Sequence, residues 1–147
     1  MSCNSLIVFH LKTALIPAEC NPSQYRELNE AGRYWKHSTA NLSCDNHIES
    51  GQWYRFTGAA GTMMATYCIP KESCNTHAVG WINGNHPSEV YQLVSTVVCF
   101  HWHSNCCEWS RPVRIRNCRG YYIYELQNPG SCTRRYCGVN GLYLFFT

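Results

Sequence analysis

The sequence predicts a small, disulfide-rich, mainly antiparallel β domain with one or two short helices. Three observations carry this. Eleven cysteines occur in 147 residues, and ten of them fall between Cys20 and Cys137, so five intradomain disulfides are expected. From Gln52 onward, short runs of β-branched and aromatic residues alternate with Gly, Asn and Pro turn signals. There is no heptad, internal repeat or low-complexity tract, and the length suits one domain with a modest core.

Residues 1–19 read as a leader or linker, with a remnant of an incomplete gene model as the alternative; Pro17 and Pro22 bracket the entry to the domain. Residues 23–33 predict a short helix. Ser23 can cap it, Tyr25 and Leu28 lie three apart and share a helical face, and Gly32 ends it. Trp53-Tyr54-Arg55-Phe56 reads as a strand, followed by a small-residue turn at Gly58-Ala59-Ala60-Gly61 and a further extended run over residues 62–68. Val79-Gly80-Trp81-Ile82 precedes Asn83-Gly84, the strongest short hairpin signal. Residues 90–102 have strand composition. In Val113-Arg114-Ile115-Arg116 a period of two points the aliphatic side chains inward and the arginines outward. Tyr121-Tyr122-Ile123-Tyr124-Glu125-Leu126 is another strand, turned by Asn128-Pro129-Gly130. Residues 20–137 thus form the domain, and residues 138–147 a C-terminal tail or edge strand.

The cysteines also speak to compartment. A reducing cytosol would leave eleven reactive thiols, whereas an oxidising one pairs them. Buried free cysteines are the alternative, but Cys106 and Cys107 are adjacent, and neighbouring side chains of an extended segment cannot both enter one core. Cys3 is the odd thiol, expected to be removed by processing or to pair outside the domain. The net charge is only +3 and 14% of residues are charged, against about 25% in typical soluble chains. The longest apolar run, residues 6–16, is interrupted by His10 and Lys12 and falls short of the ~18 residues of a membrane span. The amino terminus also lacks the basic region and cleavage site of a signal peptide.

Catalytic readings find no support. Asp45 is the one aspartate, and Gly-x-Ser-x-Gly, His-Glu-x-x-His, phosphate-loop and Cys-x-x-Cys patterns are all missing. Cys99, His101, His103, Cys106 and Cys107 offer soft ligands with both histidines on one strand face. Oxidised cysteines cannot act as thiolate ligands, however, so no metal or other cofactor is expected. Six of twelve basic side chains lie between Arg111 and Arg135. Arg114 and Arg116, with Arg134 and Arg135, form a candidate basic surface for sulfated glycans; a solvated strand face with ordinary arginines is the favoured reading. Nucleic acid is not an expected partner. Trp81, Trp102, Trp109 and the tyrosines at 121, 122 and 124 could build a sugar-binding face, but rings also fill small cores, which is the preferred account. Asn41-Leu42-Ser43 is an acceptable N-glycosylation sequon, whereas Pro22 excludes Asn21-Pro22-Ser23.

Read together, the words between the cysteines resemble the eight-to-ten-cysteine domain, or decoy module, of uromodulin, the pancreatic zymogen-granule glycoprotein GP-two and related liver zona-pellucida-domain proteins. The matching segments are Trp53-Tyr54-Arg55-Phe56 with Gly58 and Gly61, Met64 before Cys68, Cys74, and Gly80-Trp81-Ile82-Asn83-Gly84 with His86-Pro87. They continue through Cys99-Phe100-His101-Trp102, Cys106-Cys107-Glu108-Trp109-Ser110, Val113, Cys118, Gly120-Tyr121-Tyr122-Ile123-Tyr124, Cys132 and Tyr136-Cys137. Ten cysteines alone allow about 945 complete pairings. The resemblance implies Cys20 with Cys118, Cys44 with Cys132, Cys68 with Cys106, Cys74 with Cys137, and Cys99 with Cys107. It also implies a non-enzymatic extracellular module, secreted or on the cell surface, that binds or displays a glycan in host defence or adhesion. Its partners would be microbial or cellular glycan-binding proteins acting through a sugar at Asn41, and neighbouring extracellular modules. The alternative is a structural spacer of a larger EGF-like or zona-pellucida-type protein.

Reduction should therefore unfold the domain, because each long closed loop contributes roughly 2–5 kcal/mol. Circular dichroism with and without a phosphine reductant checks this: retention of a cooperative thermal transition after complete reduction would contradict it.

Overall fold

The computed structural model describes residues 15–141; Cys3, the apolar run at residues 6–14 and the expected tail strand at 142–146 lie outside them. Seven strands form one sheet in the order β1-β2-β7-β6-β5-β4-β8. They are β1 (Tyr25–Leu28), β2 (Gln52–Phe56), β4 (Ala78–Asn83), β5 (Leu93–Trp102), β6 (Asn105–Asn117), β7 (Tyr122–Leu126) and β8 (Arg134–Tyr136). A second, two-stranded sheet pairs β3 (Met63–Met64) with β9 (Gly138–Val139). The interior pairs are antiparallel, while the outermost pairs, β1 with β2 and β4 with β8, are parallel. Helical structure among the described residues is confined to single 3-10 turns at Ala18–Cys20, Ala31–Arg33 and Gly58–Ala60.

Strand β6 is the spine. Val113 and Ile115 are 2% and 0% exposed and face the main core, as their alternation predicts. That core also takes Leu28, Phe56, Ile82, Phe100, Tyr124 and Leu126. The opposite sheet face carries two separate apolar clusters. One gathers Ile69, Val79, Trp81 and Cys99, with the Cys74 and Cys137 pair, at the β4 end. The other joins Cys20, Tyr25, Cys118 and Ile123 at the β1 end. Strand β7 therefore buries both faces, Tyr124 on one and Ile123 on the other.

Three local expectations change. The segment 23–33 is a strand followed by a 3-10 turn, not one helix. In a helix Tyr25 and Leu28 would share a face; in β1 they point oppositely, and each enters a different cluster. Pairing with β2 in register from Tyr25 with Trp53 to Leu28 with Phe56 overrides a weak local propensity. Asn83-Gly84 does not close a tight hairpin either. The chain leaves the sheet over residues 84–92, and His86 packs its ring 4.4 Å from that of Tyr122. The tight turn lies instead at His103-Ser104, between the paired residues Trp102 and Asn105. His103 there adopts a φ of 51°, so it sits in a turn rather than on the strand face of His101.

Five disulfides tie the connections to the sheet: Cys20–Cys118, Cys44–Cys132, Cys68–Cys106, Cys74–Cys137 and Cys99–Cys107. This is the pairing that the resemblance implies. The β5–β6 register shifts between Phe100 and Trp102, leaving extra β6 residues beside the turn. Cys106 and Cys107 occupy that irregularity and diverge, with Cα–Cα distances of 5.7 Å to Cys68 and 4.6 Å to Cys99. Indole Nε1 of Trp81 donates to the Cys106 carbonyl at 2.8 Å. Where β3 meets β9, Gly61 has a φ of 92°, and a Cβ there would come within 2.7 Å of the Val139 carbonyl oxygen, so glycine is required.

One ion pair is wholly buried. Arg33 and Asp45 are both 0% exposed. The Arg33 guanidinium forms a fork on the Asp45 carboxylate, Nη1 to Oδ2 at 2.9 Å and Nη2 to Oδ1 at 2.8 Å. Nη1 also donates to the Tyr136 carbonyl, while the Tyr136 N–H donates to Asp45 Oδ2. Burial alone would lower the Arg33 pKa, but Asp45 and then Glu30 outweigh it and raise it. Burial likewise favours a neutral Glu30, yet Arg33 holds that carboxyl down at about 2. The fork joins the 31–33 turn, the loop at Asp45 and edge strand β8.

Replacing Asp45→Asn keeps the shape and leaves the Arg33 charge buried without its counter-ion. The expected loss is about 3 kcal/mol, more than for Arg33→Met combined with Asp45→Leu. Guanidinium unfolding midpoints with all disulfides intact test the order; a double variant less stable than the single one would refute this account.

Candidate functional site

The Asn41 sequon lies in an exposed loop. Asn41, Leu42 and Ser43 are all solvent-facing, and Leu42 is 51% exposed. A single residue, Asn75, braces the loop. Its side-chain Oδ1 accepts from the Thr39 N–H at 2.8 Å, its N–H donates to the His37 carbonyl, and its carbonyl accepts from Ser43 N–H. The Cys44–Cys132 disulfide anchors the next residue to the sheet. The loop is thus presented outward from a covalently fixed base.

The four arginines expected to form a basic surface do not do so. Arg114 is exposed but paired with Glu125. Arg116 donates to Glu19 at 2.6 Å and to the Tyr91 carbonyl at 2.7 Å. Arg134 and Arg135 are only 9% and 5% exposed. Edge strand β8 buries them because loops on both sides cap it. Arg134 donates to the Pro129 carbonyl and Arg135 to that of Cys74. Strand β8 has no apolar alternation in its sequence from which this burial could be read. Two arginines do come together, but they are Arg111 and Arg134, whose side chains converge on Gly130.

The cysteine and histidine cluster is consumed by cross-linking. The ligand atoms of Cys68, His101 and Cys106 lie within 4.8 Å of one another. The two sulfurs are bonded to each other, and His101 Nδ1 donates to the Ile69 carbonyl at 2.7 Å. Cys99 and Cys107 are bonded likewise, and His103 stands apart in the turn, 3.8 Å from Glu108. This donor set does not fit a thiolate metal site.

The aromatic residues are largely committed to internal contacts. Trp81 is 9% exposed and Tyr124 is fully buried. Tyr121 donates to the Cys20 carbonyl at 2.6 Å and carries the Arg55 guanidinium 3.7 Å from its ring centre. Trp102 stands edge-on to His77 at 5.6 Å. Trp109 is covered by Arg134 at 4.0 Å. Under Tyr122, Met64 N–H donates to Tyr124 Oη, which donates to His86 Nε2 at 2.8 Å. Burial pushes the His86 imidazole down to about 4.

These features define a class: a small extracellular β module, stapled by disulfides and without catalytic function. No described helix is long and apolar enough to cross a membrane. Residues 54–138 match the family of the uromodulin-like, cysteine-rich domain. The chain belongs to this family. It is 41% identical to rat uromodulin over 116 residues, covering 77% of this chain and 17% of the rat protein. Mouse uromodulin is 41% identical over 121 residues, 80% of this chain and 18% of the mouse protein. Human pancreatic secretory granule membrane major glycoprotein GP2 is 35% identical over 116 residues, 78% of this chain and 21% of the human protein. The chain spans about a fifth of the length of these curated relatives.

The neutral His86 makes stability pH-dependent. Its folded pKa of about 4 lies below the ordinary 6.5, so between these values the unfolded chain binds the proton and the folded one does not. The contribution is complete above pH 6.5, falls as the pH drops, and is lost by about pH 4, a change of roughly 3 kcal/mol at ~1.4 kcal/mol per unit. His86→Gln should lack this component. Denaturant midpoints of both proteins from pH 4 to 8 measure it, and parallel curves would exclude His86 as the source.

Proposed function

We propose that the module displays an N-linked glycan from Asn41 to glycan-binding proteins of microbial or cellular origin. The observation that carries this reading is the exposed sequon on a loop braced by Asn75 and anchored through Cys44–Cys132. A large, solvated sugar needs an open approach for the transferase and afterwards for a lectin. The name of the human relative, a major glycoprotein of the secretory granule membrane, supports passage through the glycosylating pathway. In this reading the protein scaffold holds the sugar at a defined point, and the sugar makes the contact.

A structural role is the second reading, favoured by the chain's coverage of only about a fifth of its relatives. Joined to EGF-like or zona-pellucida-type modules, the domain would act as a rigid spacer. A transcript carrying such modules, with adhesion unchanged when Asn41 is replaced, would favour it.

The display reading is tested with protein secreted from cultured vertebrate cells. Wild type should shift on a gel after glycosidase treatment and bind a mannose-specific bacterial adhesin in a manner blocked by methyl mannoside. Asn41→Gln should lose both properties while its stability changes by less than about 0.5 kcal/mol, as expected for an exposed site. An unglycosylated wild-type protein, or equal adhesin binding by the variant, would be fatal to it.

A further inference from the structure

The described residues contain seven ion pairs. They engage Glu19, Glu30, Asp45, Glu49, Glu72, Glu108 and Glu125, and none includes Arg111 or Arg134. Yet these two cations stand side by side. A Cβ built on Gly130 would lie 2.6 Å from Arg111 Nη2 and 4.0 Å from Arg134 Nη1, so both guanidinium groups reach one point. Gly130 is exposed and has a φ of 79°, so the turn keeps that point open to solvent and free of a side chain.

Each arginine is held in place by backbone carbonyls rather than by counter-ions. Arg111 donates from Nε to Asn128 and from Nη1 to Ser110, at 3.3 and 3.1 Å, and no described residue accepts from its Nη2. Arg134 is 9% exposed. One Nη1 hydrogen goes to the Pro129 carbonyl at 2.7 Å, and its Nε is buried without a partner. The ring of Trp109 supports its guanidinium face at 4.0 Å. Burial and then the charge of Arg111 lower the Arg134 pKa, and no carboxylate contributes to offset them. Two fixed, unneutralised forks around an open point make a receptor for a tetrahedral oxyanion.

We propose that Arg111 and Arg134, across Gly130, form an oxyanion site that takes a sulfate group of a sulfated glycan. The extracellular placement of the family makes a sulfate ester the fitting source, with free inorganic sulfate as the other. The proposal is independent of the Asn41 glycan: here the protein is the receptor rather than the ligand.

The test uses the full secreted chain with its disulfides intact, at near-physiological salt. Calorimetric titration compares a highly sulfated heparin-type octasaccharide, its desulfated counterpart and sodium sulfate. Arg111→Gln removes the more accessible fork and should leave the fold intact, whereas Arg134 is too buried to serve alone. Arg119→Gln removes one charge from an exposed arginine elsewhere. The wild type should bind the sulfated oligosaccharide and not the desulfated one. Arg111→Gln should weaken binding by about tenfold or more, the loss of a charge-assisted contact, and Arg119→Gln by less than about threefold. Equal weakening by both variants would mean diffuse charge attraction and overturn the site. So would no binding by the wild type, or sodium sulfate competing at equal molar concentration, which would mark a free-anion site only.

Discussion

The disulfides hold to the central sheet long stretches of chain that have little regular structure of their own. Residues 29–51 and 65–77 contain almost no strand, yet they supply Ile48, Ile69, Arg33 and Asp45 to the interior. Loops of this kind are entropically costly to order. Links at sequence separations of 98, 88 and 63 constrain the unfolded chain, where a loop of about 100 residues can be worth nearly 5 kcal/mol. Without that restraint the parallel edge pairs β1–β2 and β4–β8 would have to close over long distances by their few hydrogen bonds.

Strand β6 connects this covalent frame to the core. Its Asn105 end carries the two adjacent cysteines in an irregular register, its middle lines the core with Val113 and Ile115, and its Asn117 end leads into Cys118. One strand therefore begins and ends in cross-links while its central side chains pack. The irregularity lets neighbouring sulfurs reach different partners, which a regular ladder would make harder.

Charge follows a different logic. The Arg33–Asp45 fork is satisfied internally and fixes how the edge strand β8 meets the loops. Arg114 and Arg116 are likewise neutralised, by Glu125 and Glu19. Arg111 and Arg134 depart from this rule: they are ordered by carbonyls and an indole but left without an anion. An uncompensated pair persists only at a cost to the folded state, and a bound anion would relieve that cost.

Compartment, strand composition and family were legible in the amino-acid sequence. Cysteine density and the Cys106-Cys107 pair, read with the short motifs between cysteines, were enough, and the alternation around Val113 and Ile115 oriented β6 correctly. These signals are local or compositional, so they survive without knowledge of contacts. The strand at Tyr25–Leu28, the turn at His103 and the burial of Arg134 and Arg135 were not legible. Each is decided by residues distant in sequence: the β2 partner, the β5–β6 register, and the loops that cap β8. The meeting of Arg111 and Arg134 at Gly130 belongs to the same class, because period-two reading reports which face a side chain takes and not which distant side chain shares it. Residue order alone was enough to say what kind of module this is; which of its charges are neutralised and which stay available was settled by packing between distant segments.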